Sequence, residues 1–397
     1  MANKQSLLPK IKTFLIGLLF LTGCQGVEEP SSPSSVTPII KSTYLKDIYK
    51  DYFDIGAAVY ADSIRKGKYD DLMDHFSVVT CENEMKWGRL EAEKGKFTYS
   101  DADTIVSYAK KQGKKVRGHT LLWYKSLPNW LKEVCVDKET TLQAIDNHIE
   151  ETMTHFKGDI YCYDVVNEAL KDGITAEDLK NDNIYRTGSS ISGDNTFDFY
   201  KILGKQYLLE AFKKAGEMRE KLGLNDLKLY YNDYSLNNPN KREAAVKLVT
   251  YLQNNGAPID GIGMQAHYRL SDYEADKEGF LKNFEDSLKA FLHLGIDVQI
   301  TELDIRVYKN SSDPSQFDSL PYDVEVRQAG MFSKIYEICR EYSLPYESGA
   351  GVVNDVSTWG VADDHNAMNT SSHKEFPLLF NREHQPKKAY YEIVDFK

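Results

Sequence analysis

Short apolar segments alternate with amphipathic segments from residue 53 onward, and this alternation constrains the fold more than any other feature of the chain. The apolar segments are rich in β-branched and aromatic residues, as strands buried in a parallel sheet are. The amphipathic segments have the period of helices that bury one face. Eight β-then-α units in one domain predict an α/β fold, a single-domain (β/α)8 or TIM barrel. The predicted strands are residues 53–59, 77–80, 115–120, 160–166, 227–231, 261–266, 297–301 and 349–353, and the clearest predicted helices are 103–112, 140–155, 199–222, 241–254, 280–294 and 324–342.

A doubly wound open sheet is the alternative fold for such an alternation. Sheets of that kind commonly hold a phosphate on a glycine-rich loop after the first strand, but residues 56–58 (Gly-Ala-Ala) lack the G-x-G-x-x-G form. No linker interrupts the chain after about residue 42, and 41% of the residues are hydrophobic, which allows a sizeable core. We therefore expect one domain over residues 43–397.

The first residues are typical of a targeting segment and not of the domain. Three lysines precede an apolar stretch, residues 14–21, that is too short to span a bilayer, and Leu-Thr-Gly-Cys follows at residues 21–24. Small residues directly before a cysteine resemble the lipobox of bacterial lipoproteins, in which the cysteine is lipidated. Residues 1–23 are therefore predicted to be a lipoprotein signal peptide. The alternative is a plain secretory signal in which Cys24 is incidental.

Residues 24–42 are rich in Ser, Pro, Glu and Thr, a composition typical of a disordered tether. Several acyl chains on Cys24 would hold the protein stably at a membrane. The segment therefore predicts a bacterial lipoprotein of the outer membrane, on the cell surface or on the periplasmic face.

The net charge of −11 argues against nucleic acid or an acidic polymer as a partner and suits a neutral substrate. Cys81 and Cys162 lie in or beside predicted strands and are interpreted as small buried hydrophobic residues. Together with Cys135 and Cys339 they show no C-x-x-C spacing, so no structural zinc is predicted. The sequence leaves open whether any of these cysteines form disulfides.

Two glutamates end predicted strands: Glu168 follows the fourth strand and Glu302 the seventh. In a barrel of parallel strands, functional side chains lie at the C-terminal strand ends. A single glutamate at such a place is more often an ordinary surface carboxylate, but the residues around these two reverse that interpretation. Cleavage of a glycosidic bond needs one carboxyl group as proton donor and a second as nucleophile or base, and the pair predicts this chemistry.

Amide, carboxylate, imidazole and indole side chains occur at nearly every other predicted strand end. Sugar hydroxyls need such polar partners, and pyranose faces need flat apolar rings. His267 would keep Glu302 charged and oriented, with Asp304 on the same strand face as its further partner. The candidate substrate-binding residues are Glu82, Asn83, Lys86, His119, Trp123, Asn232, Tyr234, Gln265 and Trp359, and Asn167 stands beside Glu168.

Each of these residues has a simpler interpretation when taken alone. Glu82 and Lys86 are alternatively an ion pair at a strand end, and the tryptophans are alternatively core residues. His119 and His267 are alternatively buried core histidines or metal ligands. The first strand lacks the His-x-His start of metal-dependent barrel hydrolases, so neither a metal nor a cofactor is predicted. Because all these residues occur together at the ends of predicted strands, a sugar-cleaving site is favoured.

Four strand ends carry specific motifs, which are Gly-His-Thr-Leu-Leu-Trp (118–123), Asp-Val-Val-Asn-Glu (164–168), Gly-Ile-Gly-Met-Gln-Ala-His (261–267) and Ile-Thr-Glu-Leu-Asp (300–304). These motifs resemble glycoside hydrolase family 10, whose members are mostly endo-β-1,4-xylanases, and the resemblance runs from the first strand to residues 387–390. It implies hydrolysis of internal β-1,4 bonds of xylan or xylo-oligosaccharides with retention of configuration, by two carboxyl groups about 5–5.5 Å apart. We expect a monomer that uses no cofactor.

The resemblance also implies a role for each candidate residue. Glu168 matches the family acid/base, Glu302 the nucleophile, and Asn167 the residue that binds the 2-hydroxyl of the sugar at the cleaved bond. Tyr234 matches an aromatic residue on the aglycone side, toward the leaving sugar. The positions that match the glycone side, toward the non-reducing end, are Glu82, Asn83, Lys86, His119, Trp123, Gln265 and Trp359.

The chain departs from the family pattern around the catalytic pair and not within it. The family usually has Trp-His-x-Gln-Leu-Pro after the third strand, whereas this chain has Tyr124 and Ser126 in place of His and Gln, a change expected to alter glycone-side contacts. Ala367 stands where a second tryptophan is expected, and Ser235 where the family has Asn. Subsite affinities, product lengths and accepted decorations are therefore open.

Two rival functions are compatible with the sequence. One is a retaining endo-hydrolase of another β-linked or decorated glycan, which the altered segment after the third strand motivates. The other is a non-catalytic glycan-binding lipoprotein that has kept the fold. The presence of both Glu168 and Glu302 argues against the second.

Overall fold

The barrel predicted from the sequence is present in the computed structural model, which describes residues 44–310, 317–371 and 373–396. Its described strands are β1 (Asp54–Val59), β2 (Val78–Cys81), β3 (Lys115–Trp123), β4 (Cys162–Asn167), β5 (Lys228–Asp233), β6 (Gly261–Met264), β7 (His267–Arg269), β8 (Asp297–Arg306) and β9 (Val353–Thr358). Parallel pairs follow the order β6-β5-β4-β3-β2-β1-β9-β8, and β6 pairs with β8 to close the ring. The short β7 pairs with the end of β8. The described chain is thus a (β/α)8 barrel.

Helices connect successive strands, and several begin at residues that cap them. The side chain of Asp137 accepts a hydrogen bond from the backbone N–H of Thr140, and Asn238 caps the helix that has Pro239 in its first turn. Two short 3-10 helices span Met73–His75 and Gly188–Ser190. The described α-helices are α1 (Leu45–Tyr49), α2 (Ala61–Arg65), α3 (Trp87–Leu90), α4 (Ser100–Lys111), α5 (Leu131–Val134), α6 (Lys138–His155), α7 (Ala176–Lys180), α8 (Phe199–Leu203), α9 (Gln206–Lys221), α10 (Pro239–Asn254), α11 (Leu270–Ala275), α12 (Lys277–Leu292), α13 (Tyr322–Glu341) and α14 (Lys388–Val394).

The interior of the barrel contains hydrogen-bonded charges as well as apolar side chains. Arg117 of β3 donates from Nε to Oε1 of Gln299 of β8 over 2.8 Å, and from Nη2 to Oδ1 of Asp164 of β4 over 2.6 Å. Because β3 and β8 are not neighbours in the ring, the bond to Gln299 crosses the barrel. These side chains are fully or almost fully buried. The Arg117–Asp164 pair matters for the active site, because Asp164 also contacts the predicted site residue His119.

The eighth barrel strand differs from its prediction. The predicted strand at residues 349–353 is wrong, since β9 runs from Val353 to Thr358. The true strand carries Asp355 and Ser357, whose side chains are buried and bonded to each other over 2.7 Å. Polar residues that face a barrel interior do not look apolar in sequence, so the preceding run of Gly and Val gave a misleading signal.

The predicted helix at residues 199–222 is two helices, α8 and α9. Gly204 lies between them with a φ of +57°, a backbone conformation that ends a helix and that glycine adopts without strain. Two strands are also longer than predicted, since β3 continues to Trp123 and β8 to Arg306. Glu302, predicted to follow its strand, therefore lies inside β8.

The cysteines Cys81, Cys135, Cys162 and Cys339 are buried and unpaired, so the interpretation of Cys81 and Cys162 as buried hydrophobic residues is confirmed. Within the described residues, every helix is too short or too polar to cross a bilayer. The same residues gather no group of three side chains able to ligate a metal. The predicted signal peptide, Cys24 and the tether lie outside the described residues.

Candidate active site

The structure brings the two predicted catalytic glutamates to the same end of the barrel. Glu168 directly follows β4, and Glu302 lies toward the C-terminal end of β8. The residue exposures are only 8% and 4%, so both carboxyl groups are largely removed from bulk water. Their environments differ, and this difference decides their protonation.

Glu168 accepts two neutral hydrogen bonds. Trp123 Nε1 donates to its Oε2 over 2.9 Å, and Gln265 Nε2 donates to its Oε1 over 3.1 Å. Burial raises the pKa of Glu168, and the negative charges of Asp233 and Glu302 raise it further, against the lowering effect of the two hydrogen bonds. The protonated form is therefore favoured more than in a free glutamate. Its φ of +56° is a left-handed conformation that turns the chain sharply at the strand end.

Glu302 is held by a buried amide and a cation. Asn232 Nδ2 donates to its Oε1 over 2.9 Å, and His267 Nε2 donates to its Oε2 over 3.1 Å. Burial acts to raise the pKa of Glu302, but the hydrogen bond from His267, the electrostatic interactions with His119 and with the His267 imidazolium, and the bond from Asn232 together lower it below its usual value. The ionised form is therefore favoured.

His267 stands between two carboxylates. Its Nδ1 lies 2.6 Å from Oδ2 of Asp304, while its Nε2 faces Glu302. Burial opposes the charged imidazolium, but the charge and hydrogen bond of Asp304, with those of Glu302, raise the pKa of His267 to about 10. Both ring nitrogens therefore donate. Arg306 Nε bonds the other oxygen of Asp304 over 3.2 Å and orients it.

An amide network joins the two glutamates. The Oδ1 of Asn167 accepts from Asn232 Nδ2 over 3.0 Å and from Gln265 Nε2 over 3.1 Å, and each of these donors also reaches one glutamate. Because two donors orient the oxygen of Asn167, its NH2 group is turned the other way and can donate to a ligand.

Asn232 is fully buried, although the sequence placed it among the substrate-binding residues. Its Oδ1 accepts from Thr301 Oγ1 over 2.7 Å, while its Nδ2 serves Asn167 and Glu302. A Cβ at residue 263 would lie 2.1 Å from that Oδ1, so only glycine leaves room for the Asn232 side chain. This environment favours a role in holding the two catalytic side chains over contact with substrate.

A line of polar side chains leads away from the pair. Lys86 Nζ donates to Asn83 Oδ1 over 2.9 Å, and Asn83 Nδ2 donates to Glu82 Oε1 over 3.3 Å. Burial lowers the pKa of Lys86, although Glu302, Glu82 and Glu168 attract its charge. Asn83 thus bridges Lys86 and Glu82, which the sequence alternatively interpreted as a direct ion pair.

His119 and Trp359 lie on the His267 side of the site. His119 Nδ1 lies 2.8 Å from Oδ2 of Asp164, the aspartate that also binds Arg117. The ring of Trp359 meets that of His119 edge-on at 5.4 Å and that of His267 at 6.4 Å. The interior charges of the barrel therefore orient His119, and His119 packs against the indole.

Tyr234 lies on the other side of Glu168, with a residue that sequence reasoning missed. Arg186 Nη2 donates to the hydroxyl of Tyr234 over 2.7 Å, and Arg186 Nε donates to the backbone oxygen of Glu168 over 3.2 Å. The ring of Tyr124 covers the Arg186 guanidinium at 4.7 Å. Tyr124 therefore packs against Arg186, next to Tyr234. Arg186 comes from a loop after β4, where no strand pattern marks it.

The segment after Trp359 contains two residues of interest. Ala367, which stands where the family has a second tryptophan, is exposed. His365, which the sequence did not single out, instead faces the site: its Nε2 lies 2.9 Å from Oε2 of Glu82. Only the folded loop reveals this contact, because the two residues are far apart in the chain.

The profile of "Glycosyl hydrolase family 10" matches residues 44–396. The chain belongs to this family. It is 38% identical over 388 residues to "Beta-1,4-xylanase" of Dictyoglomus thermophilum, covering 97% of this chain and 96% of the relative. It is 32% identical over 360 residues to "Endo-1,4-beta-xylanase A" of Caldicellulosiruptor saccharolyticus, covering 89% and 95%.

Solved structures agree with this assignment. The Thermobacillus composti GH10 xylanase has a TM-score of 0.73 at 32% identity over 89% of this chain and 99% of that one. A mutant structure in complex with xylotriose has a TM-score of 0.77 at 30% identity, covering 89% and 100%. The predictions of a TIM barrel, of the family and of a glycoside hydrolase are therefore confirmed.

Proposed function

We propose that this protein is an endo-1,4-β-xylanase that cleaves internal bonds of xylan with retention of configuration. One observation carries the proposal: Glu168 and Glu302 are buried, have pKa shifts of opposite direction, and are joined by one amide network. Relatives named as xylanases match this chain over nearly their whole length and support the substrate class.

The proposed reaction is a double displacement. Glu302, favoured in its ionised form, attacks the anomeric carbon while the protonated Glu168 gives its proton to the leaving oxygen. Glu168 then removes a proton from water, which attacks the same carbon and releases the sugar with net retention. His267 and Asn232 hold Glu302 in place for the attack through their bonds to its two oxygens.

The surrounding side chains are proposed to bind the sugar chain. Asn167 donates its NH2 group to the hydroxyl beside the reacting carbon, because its oxygen is already occupied. Tyr234 provides a ring on the aglycone side, where Arg186 and Asp172 hold its hydroxyl. The residues proposed for the glycone side are Glu82, Asn83, Lys86, His119, Trp123, Gln265 and Trp359.

The first test is the time course of products from linear β-1,4-xylan, with proton NMR of the new reducing ends. Short xylo-oligosaccharides that appear first as the β-anomer would support endo-acting hydrolysis with retention. Release of xylose alone from the start, or of the α-anomer first, would contradict the proposal.

The second test separates the roles of the two glutamates. Glu302→Ala should abolish turnover of every substrate. Glu168→Ala should slow xylan hydrolysis strongly but spare the first step with aryl xylosides, whose leaving group needs no protonation. Glu220→Ala, an exposed glutamate on α9, is the matched control and should behave as the wild type. Equal losses of Glu168→Ala on both substrates would mean that the roles are misassigned.

Hydrolysis of xylan, arabinoxylan and β-glucan side by side tests the substrate class. A clear preference for β-glucan would favour the alternative of another β-linked glycan. Binding of xylan without release of any sugar would favour the non-catalytic alternative.

We also propose a lipid anchor at Cys24 and a place at the outer membrane, on the strength of the lipobox-like residues 21–24. Metabolic labelling with a radioactive fatty acid in a bacterial host tests this. Label and membrane association should be lost in Cys24→Ser and kept in Cys135→Ser, a change at a buried cysteine of the barrel. Label retained in Cys24→Ser would refute acylation at Cys24, and a wild type that takes up no label would favour the plain secretory signal. Size-exclusion chromatography of the protein without residues 1–23 tests the expected monomer.

A further inference from the structure

Two buried side chains of β5, those of Tyr231 and Asp233, bond the backbone that follows Glu168. We propose that Tyr231 and Asp233 are positioning residues for Glu168, which hold the turn after β4 so that the Glu168 carboxyl group reaches the leaving oxygen. This role needs no contact with the substrate. The inference deepens the xylanase function proposed above and rests on it, because it takes Glu168 as the proton donor.

The backbone after β4 has a conformation that needs support. Glu168 has a φ of +56°, and a left-handed conformation is unfavourable for a residue that carries a side chain. Residues of this kind persist where the surrounding structure determines their conformation. The next two residues, Ala169 and Leu170, are buried, so their backbone N–H groups need acceptors. The groups that accept these hydrogen bonds decide how firmly Glu168 is held.

The end of β5 supplies these acceptors. The hydroxyl oxygen of Tyr231 accepts from the N–H of Ala169 over 3.1 Å and from the N–H of Leu170 over 3.3 Å. The N–H of Leu170 also donates to Oδ2 of Asp233 over 3.3 Å. Both N–H groups after Glu168 are therefore bonded to side chains of β5 and not to the loop that they belong to.

The alternation of side chains along β5 gives the strand two functions. Tyr231 and Asp233 lie on one face, and Asn232 between them lies on the other face, where it bonds Glu302. One face therefore orients Glu302, and the other holds the turn that presents Glu168. The two carboxyl groups are set relative to each other by a single strand.

The carboxylate of Asp233 is itself fixed from several sides. Lys241 Nζ of α10 lies 2.8 Å from its Oδ1, and the N–H of Tyr234 donates to the same oxygen over 2.8 Å. The hydroxyl of Tyr231 donates to its Oδ2. Lys241 and Asp233 are almost completely buried, so little water competes for this ion pair. The turn after Glu168 is therefore held before any substrate binds.

Asp233 also acts on Glu168 through its charge. After burial, the negative charge of Asp233 is the largest cause that raises the pKa of Glu168. The charged and titratable groups that face Asp233 besides Glu168 are Lys241, Tyr207, Tyr231 and Tyr234. Those that face Glu168 besides Asp233 are Glu302, Lys86, Tyr124 and Arg186. Asp233→Asn leaves all the others in place, so its effect on the titration of Glu168 reports the lost carboxylate.

Phenyl and dinitrophenyl β-xylobioside test the positioning role. They share the glycone and carry a similar aromatic leaving group, but only phenol depends strongly on a proton from Glu168 to leave. Tyr231→Phe removes the hydroxyl that accepts from the two N–H groups. We expect kcat/KM for the phenyl substrate to fall roughly tenfold, while kcat/KM for the dinitrophenyl substrate changes by less than about twofold. A general disturbance of the barrel would lower both values alike.

Asp233→Asn should show the same selective loss and a shifted pH profile. Loss of the negative charge lowers the pKa of Glu168, and the unpaired charge of Lys241 acts in the same direction. Glu168 then loses its proton at lower pH, so the alkaline limb of kcat/KM for the phenyl substrate should move down by about half to one pH unit. Tyr231→Phe keeps the charge of Asp233 and should leave that limb in place.

Two controls match these substitutions. Tyr342→Phe removes a hydroxyl that bonds Glu285 over 2.7 Å, just after the end of α13. Asp260→Asn changes a carboxylate that accepts from the N–H of Leu229 over 2.9 Å and from Arg219 over 2.7 Å, at the start of β5. Both variants should keep the wild-type ratio of the two kcat/KM values and the wild-type pH profile.

If the wild type cleaves neither xylobioside, the xylanase proposal itself fails. If it cleaves both, equal losses on the two substrates in Tyr231→Phe, or no loss on the phenyl substrate, would refute the positioning role. An alkaline limb of Asp233→Asn that stays in place or moves up would refute the part assigned to its charge. If Asp233→Asn does not fold, as circular dichroism would report, the ratio of the two kcat/KM values in Tyr231→Phe decides alone.

Discussion

Replacing His267 by glutamine should move the acid limb of the pH profile of kcat/KM to higher pH. The hydrogen bond and the positive charge of His267 both lower the pKa of Glu302. Glutamine can still donate a hydrogen bond but carries no charge, so the change removes the charge assistance, which we take as about 1.5–3 kcal/mol, the contribution of a hydrogen bond to a charged group. One pKa unit corresponds to about 1.36 kcal/mol, so the acid limb should shift upward by roughly one to two pH units.

The direction follows from which form of Glu302 reacts. The acid limb arises where falling pH protonates the nucleophile, at the pKa of Glu302. Loss of a cation that stabilises the carboxylate raises that pKa, so the nucleophile is protonated at a higher pH than in the wild type. His267 itself, with a pKa raised to about 10, stays charged throughout the acid and neutral range, and its own titration does not shape this limb.

The assay is the initial rate of aryl xylobioside hydrolysis over the acid and alkaline range, at substrate concentrations well below KM. His155→Gln is the matched control, because His155 also bonds a carboxylate, Asp103, over 2.7 Å, but sits on α6 away from the site. It should leave the profile unchanged. A fall in kcat/KM by the same factor at every pH in His267→Gln, with the acid limb in place, would refute the electrostatic reasoning.

Three further predictions test other parts of the structure. Trp123→Phe removes a hydrogen bond that lowers the pKa of Glu168, so the alkaline limb of the same profile should move up by about half to one pH unit. Gly263→Ala places a Cβ against Asn232 and should lower kcat roughly ten- to a hundredfold, measured on xylan at saturation. Lys387→Met leaves a buried aspartate without its cation and should lower the free energy of unfolding in urea by about 3–5 kcal/mol.

The catalytic glutamates and most of the fold could be predicted from local patterns. A buried parallel strand reads as a short apolar run, and a polar residue directly after such a run marks the functional rim of a barrel. Glu168 and Glu302 satisfied both conditions, and the structure brings them to the same end of the barrel. The position of β9 was predicted wrongly because its buried residues Asp355 and Ser357 are polar. Their hydrogen bond to each other inside the barrel cannot be recognised from a local pattern.

Contacts between loops that are distant in the chain could not be predicted from the sequence either. Arg186 bonds the backbone of Glu168 and the hydroxyl of Tyr234, and His365 bonds Glu82 across the rim. Neither residue belongs to a strand, and neither has a spacing that indicates a partner. Such contacts depend on the paths of loops between elements, and these paths follow from packing and not from local propensity.

The sequence by itself determined the order of strands and helices, and with it the barrel and the chemical types of residue at its rim, because these depend on periodicities of a few residues. Only the tertiary structure decided how each group is charged. The pKa of His267 rises to about 10 because two carboxylates from β8 meet it, and Asn232 links Asn167 to Glu302 because β4, β5 and β8 converge. Charge states and hydrogen bonds depend on distances across the fold, which no stretch of sequence contains.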